Sequence, residues 1–231
     1  MPRQPLWSTY AMARDLQRIG HGGASALERA NTIASFEAAR AIGVDSIEFD
    51  VRAWRGDMVL AHTMLHARLG DNVRLRDALA HLARPEFDGI ELHMDIKHGG
   101  CEAPVLLALS RAGLLERTLI CSQVPAVLDA FRACERSVRV GISVGGRAAR
   151  ASRRWGDWRR EVIAGLAARR WDALMAQHKL VDDALVASVE ATGSRLYAWT
   201  VNERPMIDSL RRLGVHGITT ADPRLFVGVA P

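Results

Sequence analysis

The chain has 231 residues, 48% of them hydrophobic, which is enough to bury the core of one sizeable domain. Its net charge of +5 comes from scattered arginines, and no basic pattern interleaved with aromatic residues appears. This composition argues against a nucleic-acid partner and predicts a single domain over residues 1–231.

The cysteines and the apolar runs predict a cellular location. Cys101, Cys121 and Cys134 are too few and too irregularly spaced for a disulfide framework or a metal site, which favours a reducing compartment. The first residues contain no apolar signal core, and no run reaches the roughly 20 apolar residues of a transmembrane helix. We expect a cytoplasmic protein. An arginine cluster between residues 147 and 160 is interpreted as a solvated face, or alternatively as a surface that attracts anionic lipid, in a weak membrane contact, or a phosphate-bearing substrate.

Strand and helix patterns alternate along the chain. Strands are predicted at residues 17–20, 43–51, 58–61, 90–96, 118–121, 138–142, 173–176, 195–200 and 217–219. Helices are predicted at 31–41, 75–82, 104–112, 125–133, 157–168, 182–191 and 204–213, the first with Asn31 as its N-cap and Gly43 after its end. About eight β/α units in one domain predict a (β/α)8 TIM barrel of the α/β class. No GxGxxG follows the first strand, which weakens a dinucleotide-binding interpretation.

The second predicted strand carries two acidic residues in an apolar frame. Glu48 and Asp50 are two residues apart, so their side chains lie on the same face of the strand. Adjacent carboxylates in an apolar strand repel each other and are costly to desolvate, and a cation between them removes both problems. The alternative is a strand end whose acidic groups face water.

Further polar residues fall where other predicted strands end. His21 ends the first strand, His62 follows the segment at 58–61, and Asp95 and Lys97 form a second i, i+2 pair. Taken alone, Asp95 and Lys97 are better explained by a simple surface ion pair. Because barrel chemistry is located at the carboxyl ends of the strands, their common position favours one shared site.

The residue types in this set fit phosphodiester chemistry. Glu48, Asp50 and Asp95 offer three hard oxygen ligands, which suit Mg²⁺ or Ca²⁺, with Mn²⁺ as a further candidate. Lys97 supplies a positive charge for phosphate oxygens, and His21 and His62 can serve as general acid and base. The sequence therefore predicts cleavage of a small-molecule phosphodiester.

The same segments carry a family resemblance. HGGA at 21–24, Asn31-Thr32 with Phe36, residues 43–51 and His62 resemble the pattern of the glycerophosphodiester phosphodiesterase family. MDIK at 94–97, AWTVNE at 198–203 and GVHGITT at 214–220 extend the resemblance over residues 19–223. It implies a PLC-like TIM barrel, a divalent cation, and hydrolysis of glycerophosphodiesters to sn-glycerol 3-phosphate and an alcohol.

The resemblance also assigns residue roles. It gives metal positions to Glu48, Asp50 and Asp95, acid/base positions to His21 and His62, and a phosphate contact to Lys97. The predicted substrate-binding residues are Arg29, Asn31, Trp199 and Asn202.

The chain departs from the family pattern near these residues. The arginine after the first histidine is Gly22, and the Pro-Glu pair before Asn-Thr is Arg29-Ala30. Thr63 follows the second histidine in place of aspartate, and only about a dozen residues separate His62 from the next predicted helix, where the family inserts a small subdomain. We expect an open site with a different or larger leaving group.

Two alternatives stay open. Asp-x-Lys and the missing arginine also resemble the sphingomyelinase D/phospholipase D toxins, which cleave choline phospholipids through a cyclic phosphate. Those toxins are secreted and disulfide-bonded, and this chain has neither mark. The other alternative is a barrel that binds phosphate ligands without catalysis.

Overall fold

A computed structural model of the protein describes residues 16–146 and 155–228. Residues 147–154, which carry most of the arginine cluster, lie outside the described residues. Of the rest of that cluster, Arg159 pairs with Asp182 and Arg160 with Asp157, so both of these charges are met by nearby carboxylates.

The strands form a closed barrel. Their bounds are β1 (Gln17–His21), β2 (Ser46–Trp54), β3 (Asp57–Leu60), β4 (Glu91–Ile96), β5 (Thr118–Ser122), β6 (Arg139–Val144), β7 (Ala173–Gln177), β8 (Arg195–Trp199) and β9 (Gly217–Thr220). The order is β1-β9-β8-β7-β6-β5-β4-β2-β3, and pairing of β1 with β2 closes the ring. All neighbours pair in parallel except β3, which runs antiparallel to the second half of β2. The predicted (β/α)8 barrel is confirmed.

Helices surround this barrel. They are α1 (Ile33–Ile42), α2 (Met64–Leu69), α3 (Leu75–Leu82), α4 (Glu102–Arg111), α5 (Pro125–Cys134), α6 (Trp155–Ala167), α7 (Asp183–Ala191) and α8 (Arg204–Leu213). Short 3-10 turns occur at Pro85–Phe87, Leu115–Arg117, His178–Leu180 and Pro223–Phe226. Among the helices of the described ranges, none has the length and apolar character needed to cross a membrane.

The start of α1 differs from the prediction. Thr32, not Asn31, is the N-cap, because its side chain accepts from the Ser35 amide while the Ser35 hydroxyl accepts from the Thr32 amide. Asn31 instead has a left-handed backbone with φ of 63°, which asparagine tolerates better than most residues. Gly43 caps the helix end with φ of 90°, as predicted.

A short helix was not predicted after His62. Thr63 caps α2 by accepting from the amide of His66, so the helix begins immediately after the predicted site residue. With six residues, α2 is too short to show a helical period in the sequence. The short connection after His62 thus contains a helix that the sequence analysis missed.

Two apolar layers hold the barrel. Outward-facing strand residues such as Ile47, Phe49 and Met94 are fully buried and pack with the helices in a large outer core. A smaller inner cluster fills the barrel itself with Ile19, Leu119, Cys121, Ala173, Met175 and Tyr197. Because strand side chains alternate between the two layers, every second residue of a strand points into the barrel, where the polar residues are also found.

Candidate active site

Strand register brings the three predicted carboxylates together. Asp50 of β2 pairs with Asp95 of β4, and Glu48 of β2 pairs with His21 of β1. One ligand atom from each of Glu48, Asp50 and Asp95 lies within 4.8 Å of the others, and we call these residues the carboxylate cluster. Glu48 and Asp50 are two residues apart on β2, so they lie on the same face of that strand. The parallel pairing of β2 with β4 brings Asp95 beside Asp50.

Lys97 bridges two members of the cluster. Its Nζ lies 2.6 Å from Asp50 Oδ1 and 2.6 Å from Asp95 Oδ2. Burial would lower the pKa of Lys97, but the surrounding carboxylates outweigh burial and raise it, so the amine is charged at neutral pH. Asn31 holds the other side of Asp50 by donating its Nδ2 to Oδ2 at 2.8 Å and accepting from the Asp50 amide at 2.9 Å.

The charge of the cluster is not balanced by this lysine. Burial, followed by the charges of Asp50 and Asp95, raises the pKa of Glu48 well above its usual value. Burial also raises the pKa of Asp95 despite the opposing charge of Lys97. For Asp50, the charge and hydrogen bonds of Lys97 and the hydrogen bond of Asn31 outweigh burial, and its pKa is lowered.

These residues fit a divalent cation. The three carboxylates converge on one point, Lys97 contacts only two of them, and Asp95 Oδ1 is a buried oxygen without a hydrogen-bond partner among the described residues. An unpaired buried carboxylate oxygen is costly unless a cation meets it. The donors are all oxygen, which is the set that Mg²⁺ and Ca²⁺ prefer.

His21 lies against the cluster. Its Nε2 is 3.8 Å from Glu48 Oε2, and the amide of the next residue, Gly22, donates to the same oxygen at 3.0 Å. Burial lowers the pKa of His21, although the charge of Asp50 opposes this shift. The imidazole is therefore neutral at pH 7 and can accept a proton.

His62 is exposed and lies directly after the end of β3. Its backbone carbonyl accepts from Arg52 Nε at 3.3 Å and from Arg52 Nη2 at 3.1 Å, which fixes the chain where β3 leads into α2. Thr63, which stands in the place of the family aspartate, is occupied as the cap of α2.

Both histidines line one small cavity with the cluster. This central cavity has a volume of about 130 Å³ and is open to solvent on one side. Its lining consists of His21, Glu48, Asp50, His62, Asp95, Lys97, Cys121, Gln123, Ser143, Met175, Trp199, Thr200 and Thr219. A phosphate group in this cavity would lie within reach of every predicted catalytic and metal residue.

Trp199 forms a wall of the central cavity. Its Nε1 donates to the Met175 carbonyl at 2.9 Å, which fixes the ring. A side chain at Gly145 would place its Cβ 2.8 Å from this ring, so glycine is required for the close approach. The structure therefore brings Trp199 to the site.

The other predicted substrate-binding residues do not line the central cavity, although Arg29 and Asn31 line a second cavity beside it. Asn31 is buried behind Asp50, and its side chain is used by that contact. The Oδ1 of Asn202 accepts from the Ala221 amide at 2.9 Å and from the Thr220 hydroxyl at 3.2 Å, and the residue does not line the central cavity. Arg29 is exposed outside the central cavity, with its Nη2 bonded to the Asp71 carbonyl.

Gly22, which stands where the family has arginine, lies close to Ala30. Gly22 has a φ of 58°, and a Cβ at this position would lie 2.9 Å from the Cβ of Ala30. A side chain at residue 22 would be strained by this left-handed backbone and would require Ala30 to shift. Two of the departures from the family pattern are therefore neighbours in space.

Sequence reasoning missed several lining residues. Cys121, Ser143 and Thr219 point into the barrel at the carboxyl ends of β5, β6 and β9. Burial and then the nearby carboxylates raise the pKa of the Cys121 thiol well above its usual value, so it is neutral. Strand alternation could have identified these positions, since each lies near the end of a predicted strand.

Sequence comparison identifies the family. A model of the glycerophosphoryl diester phosphodiesterase family matches residues 89–225, which is well over half of the chain. A glycerophosphodiester phosphodiesterase of Arabidopsis thaliana is 36% identical over 52 residues, which make up 22% of this chain and only 16% of that protein.

Solved structures show the same fold. A glycerophosphodiester phosphodiesterase from Thermotoga maritima is 18% identical and covers 94% of this chain and 99% of its own, with a TM-score of 0.76. One from Parabacteroides distasonis is 18% identical and covers 93% and 98%, with a TM-score of 0.75. An Oleispira antarctica phosphodiesterase, solved with the product sn-glycerol-3-phosphate, is 19% identical and covers 90% and 94%, with a TM-score of 0.69. With its barrel, its carboxylate cluster and the family match over most of its length, this chain belongs to the glycerophosphoryl diester phosphodiesterase family.

Proposed function

We propose that this protein is a metal-dependent phosphodiesterase that cleaves glycerophosphodiesters to sn-glycerol 3-phosphate and an alcohol. The observation that carries the proposal is the convergence of three carboxylates, one charged lysine and two histidines on one cavity. A structural ion pair needs one carboxylate for its lysine, whereas here Lys97 is the one cationic side chain in contact with this cluster among the described residues, and it faces three carboxylates beside two histidines. The family match supports the same reaction.

The carboxylate cluster is the proposed cation site. Glu48, Asp50 and Asp95 would hold Mg²⁺ or Ca²⁺, with Mn²⁺ as a further candidate. When bound, such a cation supplies positive charge that polarises a phosphoryl oxygen. Lys97, held between Asp50 and Asp95, adds a fixed charge that offsets the negative charge of the diester.

The two histidines are the proposed acid and base. His21 is neutral at pH 7 and has its Nε2 beside Glu48, so it suits removal of a proton from the attacking hydroxyl or water. His62 stands at the exposed rim, where a leaving alcohol departs, and suits protonation of the leaving oxygen. Trp199 forms the facing wall and orients the substrate through contact with its ring.

We further propose one domain that works in the cytoplasm. The three cysteines are all free, and two are buried as thiols, which fits a reducing compartment. The absence of a nucleic-acid partner and a weak membrane-surface contact stay predictions.

Product analysis tests the reaction. A panel of glycerophosphodiesters, lysophospholipids and synthetic diesters, followed by phosphorus NMR with Mg²⁺, Ca²⁺ or Mn²⁺, should show direct appearance of a phosphomonoester. A cyclic phosphate would indicate intramolecular attack instead. Cation-dependent binding without any product would identify a non-catalytic barrel and contradict the proposal.

Histidine variants test the residue roles. His21→Ala and His62→Ala should each lower kcat by about 10²- to 10⁴-fold, the usual contribution of a general acid or base. The matched control is His81→Asn, since His81 pairs with Glu37 in the outer helical layer and should leave turnover unchanged. Full activity in both site variants would remove the acid/base assignment.

A further inference from the structure

A second cavity adjoins the central one. This side cavity has a volume of about 530 Å³, within the size range of small-molecule sites. His21, Asp50 and His62 line both cavities, so the two adjoin at the proposed reacting centre. A substrate whose phosphate lies in the central cavity can therefore extend one substituent into the side cavity.

The wall of the side cavity is mostly apolar. Leu60 and Ala61 from the end of β3 form its inner part, and Leu65 and Leu69 of α2 form its outer part. Arg29 lies at the edge with its guanidinium bonded to the Asp71 carbonyl. The side cavity thus offers more carbon surface than the polar head groups of soluble diesters can use.

Helix α2 exposes its large apolar side chains. Met64, Leu65 and Leu69 are 48%, 61% and 74% exposed, which makes a local apolar patch beside the site. Contiguous exposed apolar residues of this kind usually mark a binding surface.

The exposure is not a consequence of a loosely held helix. Thr63 caps the start of α2, and Asn72 Nδ2 donates to the carbonyls of His66, Ala67 and Gly70 near its end. The buried Ala67 packs with Val59 and Ala61. The helix is fixed in an orientation that presents its leucines to the side cavity.

We propose that the side cavity binds an apolar chain carried by the phosphodiester, so that single-chain amphiphilic diesters are the preferred substrates. The inference rests on the proposed function, because it names the substrate class of the same site. Its occupant is an alkyl or acyl chain of the substrate molecule itself, reaching past His62 to Leu65 and Leu69. The residues shared by the two cavities carry this assignment.

A homologous series tests the inference. Glycerol 3-phosphate alkyl esters with methyl, butyl, hexyl and octyl groups are assayed as monomers, below their micelle concentrations. Each buried methylene should raise kcat/KM of the wild type about threefold to fourfold until the cavity is filled. The double variant Leu65→Ala/Leu69→Ala should show a much flatter dependence on chain length.

The control is Leu107→Ala. Leu107 is 51% exposed on α4, away from both cavities, and its loss should leave the chain-length dependence as in the wild type. A second arm presents the octyl ester in phosphatidylcholine vesicles, which separates a chain bound by the protein from a membrane contacted by α2. Thermal unfolding of each variant checks that the fold is kept.

The outcomes distinguish this inference from the proposed function. Turnover of the methyl ester with no gain along the series overturns the side-cavity assignment alone, and so does a gain that the double variant keeps. A gain seen only with vesicles overturns it in favour of membrane contact. Absence of turnover for every diester overturns the proposed function, and the inference with it.

Discussion

The two ends of the barrel carry polar clusters that share strands β1, β2 and β4. They differ in whether the buried carboxylates are balanced by positive charge. At the amino end, Gln17 donates to Ser46 at 2.6 Å and to Glu91 at 2.9 Å, while Arg139 Nη1 donates to the other oxygen of Glu91 at 3.0 Å. Burial opposes ionisation of Glu91, but Arg139 and its neighbours outweigh burial and lower its pKa. The amino-end cluster is therefore stable in its charged form.

At the carboxyl end of the barrel, burial outweighs the available positive charge and raises the pKa of two carboxylates, Glu48 and Asp95. Strand β2 supplies Glu48, whose pKa is raised by burial and by the neighbouring carboxylates, and β4 supplies Asp95, one oxygen of which has no hydrogen-bond partner in the described part of the chain. Only three residues along β4 lie between Glu91 and Asp95. The amino-end cluster therefore closes its end of the barrel with its carboxylate paired to an arginine. The carboxylate cluster keeps negative charge that only a further ligand can balance, as expected of a functional site.

The largest expected effect on turnover comes from neutralising one residue of the carboxylate cluster. Glu48→Gln keeps the shape of the side chain and an oxygen for the Gly22 amide, but removes a proposed cation ligand. We expect turnover to fall about 10³-fold, because the bound cation contributes several kcal/mol to the transition state. Without divalent cations the variant should melt at an equal or higher temperature than the wild type, since like-charge repulsion is relieved. A strong loss of stability would show that Glu48 is structural.

Between the two clusters, His93 makes the fold sensitive to acid. It is fully buried against Tyr197, neither ring nitrogen has a hydrogen-bond partner among the described residues, and burial lowers its pKa to about 4. The unfolded chain takes up a proton near pH 6.5, which the folded protein excludes, so stability falls as pH falls from 6.5 to 4. Unfolding in urea should show a loss of about 3 kcal/mol from this group.

The matched variant is His93→Leu, in which this group no longer titrates. Its free energy of unfolding should fall less between pH 7 and pH 4 than that of the wild type, by the same amount. Equal losses in the two proteins would contradict the role of His93.

Neutralising Glu91 in the amino-end cluster should lower the free energy of unfolding and leave turnover nearly unchanged. Glu91→Gln leaves Arg139 without its carboxylate, and the expected cost is about 2 kcal/mol because the pair is only partly buried. Steady-state kinetics should change by less than about twofold. A loss of turnover comparable to that of Glu48→Gln would remove the distinction between the two ends.

The smallest expected effect, in free energy, concerns Arg52, which donates to the backbone carbonyl of His62. Arg52→Met removes the two hydrogen bonds to the His62 carbonyl, and we expect kcat to fall about fivefold to tenfold, the equivalent of one hydrogen bond, with KM nearly constant. The control is Arg55→Met, since Arg55 lies over the Trp54 ring and lines neither the central nor the side cavity. Equal changes in both variants would argue against positioning of His62 by Arg52.

The carboxyl-end cluster was largely predictable from the sequence. Spacing by two residues in β2 and β4 identified Glu48, Asp50, Asp95 and Lys97, and α3 and α8 were predicted to the residue. Local patterns sufficed because strand alternation and barrel architecture determine which side chains converge.

The rest required three-dimensional contacts. The pairing of Glu91 with Arg139 depends on the register of the strands, which the sequence does not reveal. A single charged residue at the start of a strand is expected to be exposed when only the sequence is known. Asn31 looks like a helix cap, but its left-handed backbone turns its side chain to Asp50. Helix α2 lacks a periodic signal, and the side cavity it forms was therefore not foreseen.

The central claim is that the carboxylate cluster is a cation site on which turnover depends. The most direct measurement is a phosphorus NMR time course of a glycerophosphodiester in excess EDTA, followed by addition of Mg²⁺, Ca²⁺ or Mn²⁺ beyond the chelator. We predict no phosphomonoester in EDTA and recovery of turnover with at least one cation, but no recovery in Glu48→Gln. Undiminished turnover in EDTA would contradict the account.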